Sequence, residues 1–368
     1  MPASSITTAV PALSRSGGVR HHYLAVISGE RRGLGAALQR LLLSAAAVPY
    51  SVAVRVRNFL FERGWLASKK AAVPVVSVGN LTAGGTGKTP CVEYVAGFYR
   101  ERDLRVAVLS RGYGSTTGPN DEALVLEENL PDVPHLQGAD RSALAATACE
   151  ELDSEVLVLD DGFQHRRLAR DLDLVLIDAT RPWGYGRLLP RGLLREPVTG
   201  LRRAGVVVLT RCDQVALEER ERIRQRVRQT APRVPVAESS HRAVELQNSE
   251  RSTAPLDHLR RGPVAGFCGL GNPDAFRHTL ADLGANLCAF RTYPDHHPYS
   301  RDDVERLRVW AGGLPADCAI VTTQKDLVKL RLSHLGDRPL WALRIRLEVG
   351  AGREDLERAL LAVVASRN

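Results

Sequence analysis

The sequence predicts an α/β protein. It reads as a doubly wound, mostly parallel sheet with a second, smaller α/β domain and a basic amphipathic N-terminal helical segment. Three observations predict this. Apolar, β-branched runs alternate with helix-spaced stretches along most of the 368 residues, the pattern of successive βαβ units. A glycine-rich stretch, Thr82-Ala83-Gly84-Gly85-Thr86-Gly87-Lys88-Thr89, follows the run Val73-Pro74-Val75-Val76-Ser77-Val78 and precedes Val92, Val95, Ala96 and Tyr99 at helical spacing. Residues 30–70 carry eight basic and two acidic side chains around an uncharged run at 41–54.

The glycine-rich stretch organises the chain. Strand, glycine turn, Lys-Thr and helix are the context of a phosphate-binding loop, so the first domain reads as P-loop NTPase type. Glycines let backbone N–H groups converge on phosphate oxygens, and the helix N-terminus and Lys88 add positive charge. The Thr89 hydroxyl falls where a Mg²⁺ ligand belongs. Thr82 stands in place of the usual first glycine, and the Gly84-Gly85 pair matches the variant loop Gly-Gly-x-Gly-Lys-Thr.

Downstream, Val106-Ala107-Val108-Leu109 reads as a buried strand followed by a second glycine-rich loop, Arg111-Gly112-Tyr113-Gly114, and Asn120-Asp121-Glu122 precedes a further apolar pattern. Residues 155–161 form an apolar strand ending in Asp160 and Asp161, the form in which a strand-end carboxylate holds Mg²⁺ directly or through water. Two more strands are expected at 172–178 and 206–210. Thr210-Arg211-Cys212-Asp213 is only faintly like a guanine-reading loop, since its Asn and Lys are replaced. Pro232 and Pro235 suggest a boundary. Beyond it, strand-like runs at 264–267, 287–290, 319–322 and 341–345 alternate with helical patterns.

The expected division is therefore an extension at 1–29, rich in Ser, Ala, Thr and Gly and read as disordered; a helical segment at 30–70; a P-loop domain at 71–232; and a second α/β domain at 233–368, whose last helix has the option of packing back on the first. As a helix, the uncharged run of 14 residues spans roughly 21 Å, short of a bilayer core, and Pro49 interrupts it. An interfacial placement fits better, with Phe59, Phe61 and Trp65 as anchors.

Composition narrows the function classes. Six cysteines are scattered without a CxxC pair, which argues against a zinc site or disulfide framework. The net charge of +8 suits an anionic partner, a nucleotide or a phospholipid, while no basic run interleaved with aromatics supports nucleic acid.

In order and spacing, these motifs resemble the tetraacyldisaccharide 4′-kinase family, the lipid A disaccharide kinases. The resemblance runs from about residue 27 to the C-terminus. It rests on the phosphate loop with its flanks (Ser77-Val78-Gly79-Asn80-Leu81 before, Pro90 after), on Ser110-Arg111-Gly112-Tyr113-Gly114, and on Asp160-Asp161-Gly162-Phe163-Gln164-His165. Leu188-Leu189-Pro190-Arg191-Gly192-Leu193-Leu194-Arg195-Glu196-Pro197 and Asp295-His296 add to it. Arg191 and Leu193 stand where Ala and Pro are expected, and Gln324 replaces a Glu in Thr-Glu-Lys-Asp.

The resemblance implies transfer of the ATP γ-phosphate to the 4′-hydroxyl of the lipid A disaccharide 1-phosphate, at an anionic inner-membrane surface on its cytoplasmic face, by a peripheral enzyme with no obligate protein partner. Lys88 is then expected on the β/γ-phosphates, and Thr89 and Asp161 on Mg²⁺ with Asp160 in support. Asp121 is the candidate base, paired with His296. Glu122 stands behind Asp121, and Arg195 either neutralises a phosphate or pairs with Glu196. His297 reads as structural. Two other readings are a soluble P-loop GTPase or ATPase of metallochaperone or partition type, and a nucleotide-binding scaffold without catalysis.

Overall fold

The computed structural model describes residues 15–112 and 121–365. Two helices come first, α1 (Arg15–Ser28) and α2 (Leu34–Glu62). The first lobe follows as β1 (Val75–Asn80), α3 (Lys88–Arg100), β2 (Val106–Ser110), α4 (Asp121–Asn129), β3 (His135–Gln137), α5 (Arg141–Glu150), β4 (Val156–Asp160), β5 (Leu172–Asp178), β6 (Val206–Thr210) and α6 (Leu217–Thr230). The rest is β7 (Val236–Gln247), β8 (Thr253–Ala254), β9 (Pro263–Cys268), α7 (Pro273–Asp282), β10 (Asn286–Thr292), α8 (Arg301–Gly312), β11 (Ala319–Thr323), α9 (Gln324–Leu330), β12 (His334–Leu335), β13 (Arg338–Val349) and α10 (Arg353–Ala365).

All the strands among the described residues belong to one sheet, ordered β10-β9-β11-β13-β7-β6-β5-β1-β4-β2-β3, with β12 and β8 as short additions. From β7 to β3 neighbouring strands are parallel, as they are from β10 to β13. The two parallel halves join through the antiparallel pair β7 and β13, each 12 residues long. The boundary expected near residue 232 therefore falls just before a strand that belongs to both halves. β1, β4, β5 and β6 are buried along their whole length, as strands covered on both faces must be, and this explains their unbroken Val/Leu/Ile runs. On one face, Leu356, Leu360 and Val363 of α10 join Val92, Val95 and Tyr99 of α3 in a single core. The Tyr99 hydroxyl donates to the Leu360 carbonyl at 2.8 Å.

β1 lies between β4 and β5, so the chain leaves it for one side of the sheet and returns later on the other. The loop after β1 thus sits at the switch point where open α/β sheets bind ligands. The turn after β4 packs directly under it. A Cβ on Gly79 would lie 2.6 Å from Phe163 Cβ and 2.7 Å from Phe163 N, and backbone cannot give way as a flexible side chain does. Gly79→Ala is therefore expected to lower the stability by about 1–3 kcal/mol, read as a reduced midpoint of thermal unfolding.

The N-terminal region corrects one expectation. Residues 15–28 are not disordered but form α1: Val26 and Ile27 are buried, and the Tyr23 hydroxyl donates to the Pro190 carbonyl at 2.8 Å. Residues 1–14 lie outside the described residues. The uncharged run is also part of a longer helix, since α2 continues through Pro49 for 29 residues. By length and composition α2 is apolar enough to cross a membrane. It is nevertheless fastened to the first lobe: Tyr50 donates to the Arg195 carbonyl at 2.7 Å and Asn58 Nδ2 to Glu196 at 3.2 Å. Only Ala36 and Val54 of this helix are buried.

Candidate active site

The phosphate loop is held from behind by polar contacts. Asn80 Nδ2 donates to Thr86 Oγ1 at 2.8 Å, and Thr210 Oγ1 donates to the Thr86 carbonyl at 2.9 Å. Thr82 is buried and paired with Leu194, while Ala83 N donates to the Leu193 carbonyl at 2.7 Å. Gly84 and Gly85 are exposed, and a Cβ on either would meet nothing within 4 Å. Packing does not demand glycine there. Bare backbone open to an incoming ligand, with Gly84 at φ 122°, is what the two residues supply. Gly87, at φ 81°, precedes α3, so Lys88 and Thr89 open that helix with their N–H groups free for an anion.

The end of β4 faces this loop. Asp161 adopts φ 51°, and Arg195 Nη1 reaches both its oxygens, at 2.7 and 2.8 Å. Lys88 Nζ stands 3.6 Å from the same carboxylate. Burial acts to raise the Asp161 pKa, but Lys88 and Arg195 outweigh it and hold the carboxyl below its ordinary value. Asp160 is in the opposite state. Burial, and then the Glu122 charge, push its pKa up to about 7, and its Oδ1 is buried without a hydrogen-bond partner. Arg195 thus pairs with Asp161 and not with Glu196. Glu196 is fully buried and engages Arg203 at 2.8 Å and Gln164 Nε2 at 2.9 Å. An orphaned carboxylate oxygen at Asp160 and a buried hydroxyl at Thr89, on the first turn of α3, fit a divalent cation.

The sequence reading missed Arg141. Its side chain is buried at the start of α5, its Nε has no partner among the described residues, and Asp161 and Asp160 act on it electrostatically. Burial and the nearby Arg111 lower its pKa. In the sequence it looks like an ordinary first-turn arginine. The one available signal is Asp140, which caps α5 by accepting from Ser142 N and Ala143 N and so sets the direction of the helix. Tyr113 and Gly114 of the second glycine loop lie outside the described residues.

The second lobe supplies the other half of the site. His296, at φ 58° in the loop between β10 and α8, places Nδ1 2.8 Å from Asp121 Oδ2 at the start of α4. Lys329 Nζ stands 3.7 Å from the same carboxylate. Lys325 Nζ meets Glu122 at 2.8 Å, and Gln324 Nε2 donates to Asn129 Oδ1 at 3.0 Å, so α9 is sewn to α4 along its length. His297 instead approaches Asp303 at 3.0 Å and stacks on Tyr293. Burial acts to raise the Asp121 pKa, but the His296 hydrogen bond, Lys325 and Lys329 bring it down to about 2. The hydrogen bond to Asp121 in turn raises the His296 pKa. The Lys88 charge acts on Glu122 and the Glu122 charge on Asp160, so the phosphate loop, the β4 carboxylates and the start of α4 lie within electrostatic reach of one another.

These shifts have a sign in pH. The lowered Asp121 pKa contributes stability that is present above its ordinary value of 3.8 and is lost as the pH falls through about 2. The raised His296 pKa contributes stability that is fully present below 6.5 and is lost as the pH rises through the folded value. The excess thermal stability of wild type over His296→Ala is therefore expected to be largest between pH 3.8 and 6.5 and to shrink as the pH rises beyond 6.5. A difference independent of pH counts against an ion pair.

A family model described as tetraacyldisaccharide-1-P 4′-kinase matches residues 39–365. The chain belongs to this kinase family. Its curated relatives include the tetraacyldisaccharide 4′-kinase of Anaeromyxobacter dehalogenans strain 2CP-1, 42% identical over 91% of this chain and 93% of the relative. The kinase of Geobacter metallireducens is 40% identical over 80% and 90%. Among solved structures, the "apo" form of the kinase LpxK from Aquifex aeolicus in complex with ATP superposes with a TM-score of 0.72. It shares 31% identity and is matched over 89% of this chain and 99% of that one. Kinase chemistry on a P-loop fold, in lipid A biosynthesis, is thus the family's business.

Proposed function

We propose that this chain transfers the γ-phosphate of ATP to the 4′-hydroxyl of a tetraacyldisaccharide 1-phosphate. The observation that carries the reading is the Asp121–His296 pair, which draws one residue from each lobe to the space faced by the phosphate loop. Lys88 and the N–H groups at the start of α3 bind and orient the β- and γ-phosphates. Thr89 and Asp160 would hold Mg²⁺, while Asp161 stays engaged by Lys88 and Arg195; when bound, the ion would supply positive charge at the transferring phosphoryl group. Asp121 accepts the hydrogen bond of the attacking hydroxyl, and His296 and Lys329 fix its orientation. A carboxylate with a pKa of about 2 is ionised throughout the working range. It is a weak base, which suits a loose transition state in which the hydroxyl loses its proton late. Arg141, buried beside the β4 carboxylates, is placed to balance added negative charge.

The test is to incubate the purified protein in detergent with labelled ATP, Mg²⁺ and the disaccharide 1-phosphate and to look for label in the lipid. ATP hydrolysis with no labelled lipid defeats the proposal and favours the soluble NTPase reading instead.

The acceptor is a lipid, and α2 supplies the surface to meet it. Leu34, Leu38, Leu41, Leu42, Val48 and Val52 are exposed along it, and Arg31, Arg32 and Arg40 flank its N-terminal end. We infer that this face lies in an anionic membrane surface, the cytoplasmic face of the inner membrane, as a peripheral anchor. Truncating the chain is a poor test, because Tyr50 and Asn58 brace the site. Replacing Leu38, Leu41 and Leu42 together by Asn is expected to cut sedimentation with anionic vesicles at least tenfold, while ATP binding persists. Unchanged sedimentation at low and high salt counts against it.

A further inference from the structure

His241, on β7, is absent from every motif discussed above, yet its ring lies against the phosphate loop. A Cβ on Gly87 would fall 2.7 Å from His241 Nε2 and 2.9 Å from Cε1. Thr210, whose Cβ lies 3.7 Å from the same point, holds the Thr86 carbonyl beside it. Nε2 is closed to solvent and has no hydrogen-bond partner among the described residues. Burial, with Arg211 nearby, lowers the pKa of the ring to about 4, so the imidazole is neutral in the working range. Arg211 is itself engaged by Asp178. A buried ring nitrogen without a partner, beside a loop built for a ligand, is a hydrogen bond waiting for that ligand.

A second observation says what the ligand lacks. The third residue of α3 is Pro90, which has no N–H. The next N–H, of Cys91, points back to the Gly87 carbonyl at 3.4 Å. Only Lys88 and Thr89 therefore offer backbone donors at the helix start. Loops of this kind cradle the α- and β-phosphates with backbone N–H groups. Here the helix start is one donor short, and the unpartnered nitrogen of His241 lies against Gly87, the residue just before it.

We propose that His241 supplies this donor: its Nε2–H hydrogen-bonds an α- or β-phosphate oxygen of the bound nucleotide. The ring thereby does two things. It fills the space that only a glycine at 87 leaves open, and it adds a neutral donor that does not compete with Lys88 for the γ-phosphate. The inference rests on the reading of the loop as the ATP site.

The experiment uses the full-length protein in detergent and the substitutions His241→Leu, which keeps bulk without a donor, and His241→Gln, whose amide N–H₂ can reach the same side. Dissociation constants for ATP and ADP are measured by calorimetry, with KM for ATP and kcat alongside. The Leu variant is expected to weaken both nucleotides about tenfold, with the loss falling on KM more than on kcat, and the Gln variant to recover most of it. Unchanged nucleotide affinity in the Leu variant overturns the inference. So does equal weakening in Leu and Gln accompanied by a lower midpoint of unfolding, which is the mark of packing against Gly87 alone. Absence of ATP binding by the wild type fails the reading of the loop itself, a different result from either.

Discussion

Lys88→Ala should fold and should transfer phosphate on the order of a thousandfold more slowly. The fold should survive because Asp161, the partner that Lys88 leaves, keeps Arg195 at 2.7 Å. No isolated charge is created in the interior. The rate should fall because positioning and charge stabilisation are most of the catalysis in phosphoryl transfer, and no other ammonium opens α3. The measurement is single-turnover transfer to the lipid, with the circular-dichroism melt as control. Wild-type turnover in this variant would remove the glycine loop from the reaction.

The second large effect belongs to the interlobe pair. Asp121→Asn should lower kcat by roughly two to four orders of magnitude with little change in KM for ATP, because on the proposed mechanism the side chain meets the acceptor hydroxyl and not the nucleotide. His296→Ala should act in the same direction, less severely. Lys329, 3.7 Å from Asp121 and 3.6 Å from Asp326, remains to hold the carboxylate. The double variant should be little worse than Asp121→Asn alone, since the two residues act as a unit. Additive losses would mean that each works through a separate contact.

How much of this was legible depends on the distance over which each feature is encoded. The phosphate loop and the β4 carboxylates were readable because each is a contiguous word: a buried strand, a turn, then a helix or a pair of acids. The meeting of Asp121 with His296 required the resemblance, since nothing local fixes the approach of residues 175 positions apart. Arg141, Lys329 and His241 were unreadable for the same reason. Each is ordinary in its own neighbourhood and acquires a role only from what the sheet brings opposite it. The antiparallel joint escaped as well, because β7 and β13 have mixed exposure and lack the apolar runs that announce the parallel strands. The helix α1 was hidden by its composition: Gly17, Gly18 and Ser16 read as loop, and the burial of Val26 and Ile27 that stabilises it is tertiary.

The position of α10 bears on how the chain is made. Its Leu356, Leu360 and Val363 close the core that begins at Val76 and Val92. A ribosome adding about 5–20 residues per second needs on the order of ten seconds to go from β6 to the last helix. Throughout that interval the nucleotide-binding lobe is synthesised but uncapped, with the apolar side of α3 bare. A nascent chain in this state has an exposed sticky face beside the exposed leucines and valines of α2, so early contact with a chaperone would shield it during synthesis. Losing even the final dozen residues should therefore be read first in yield and solubility, far from any residue that touches a phosphate.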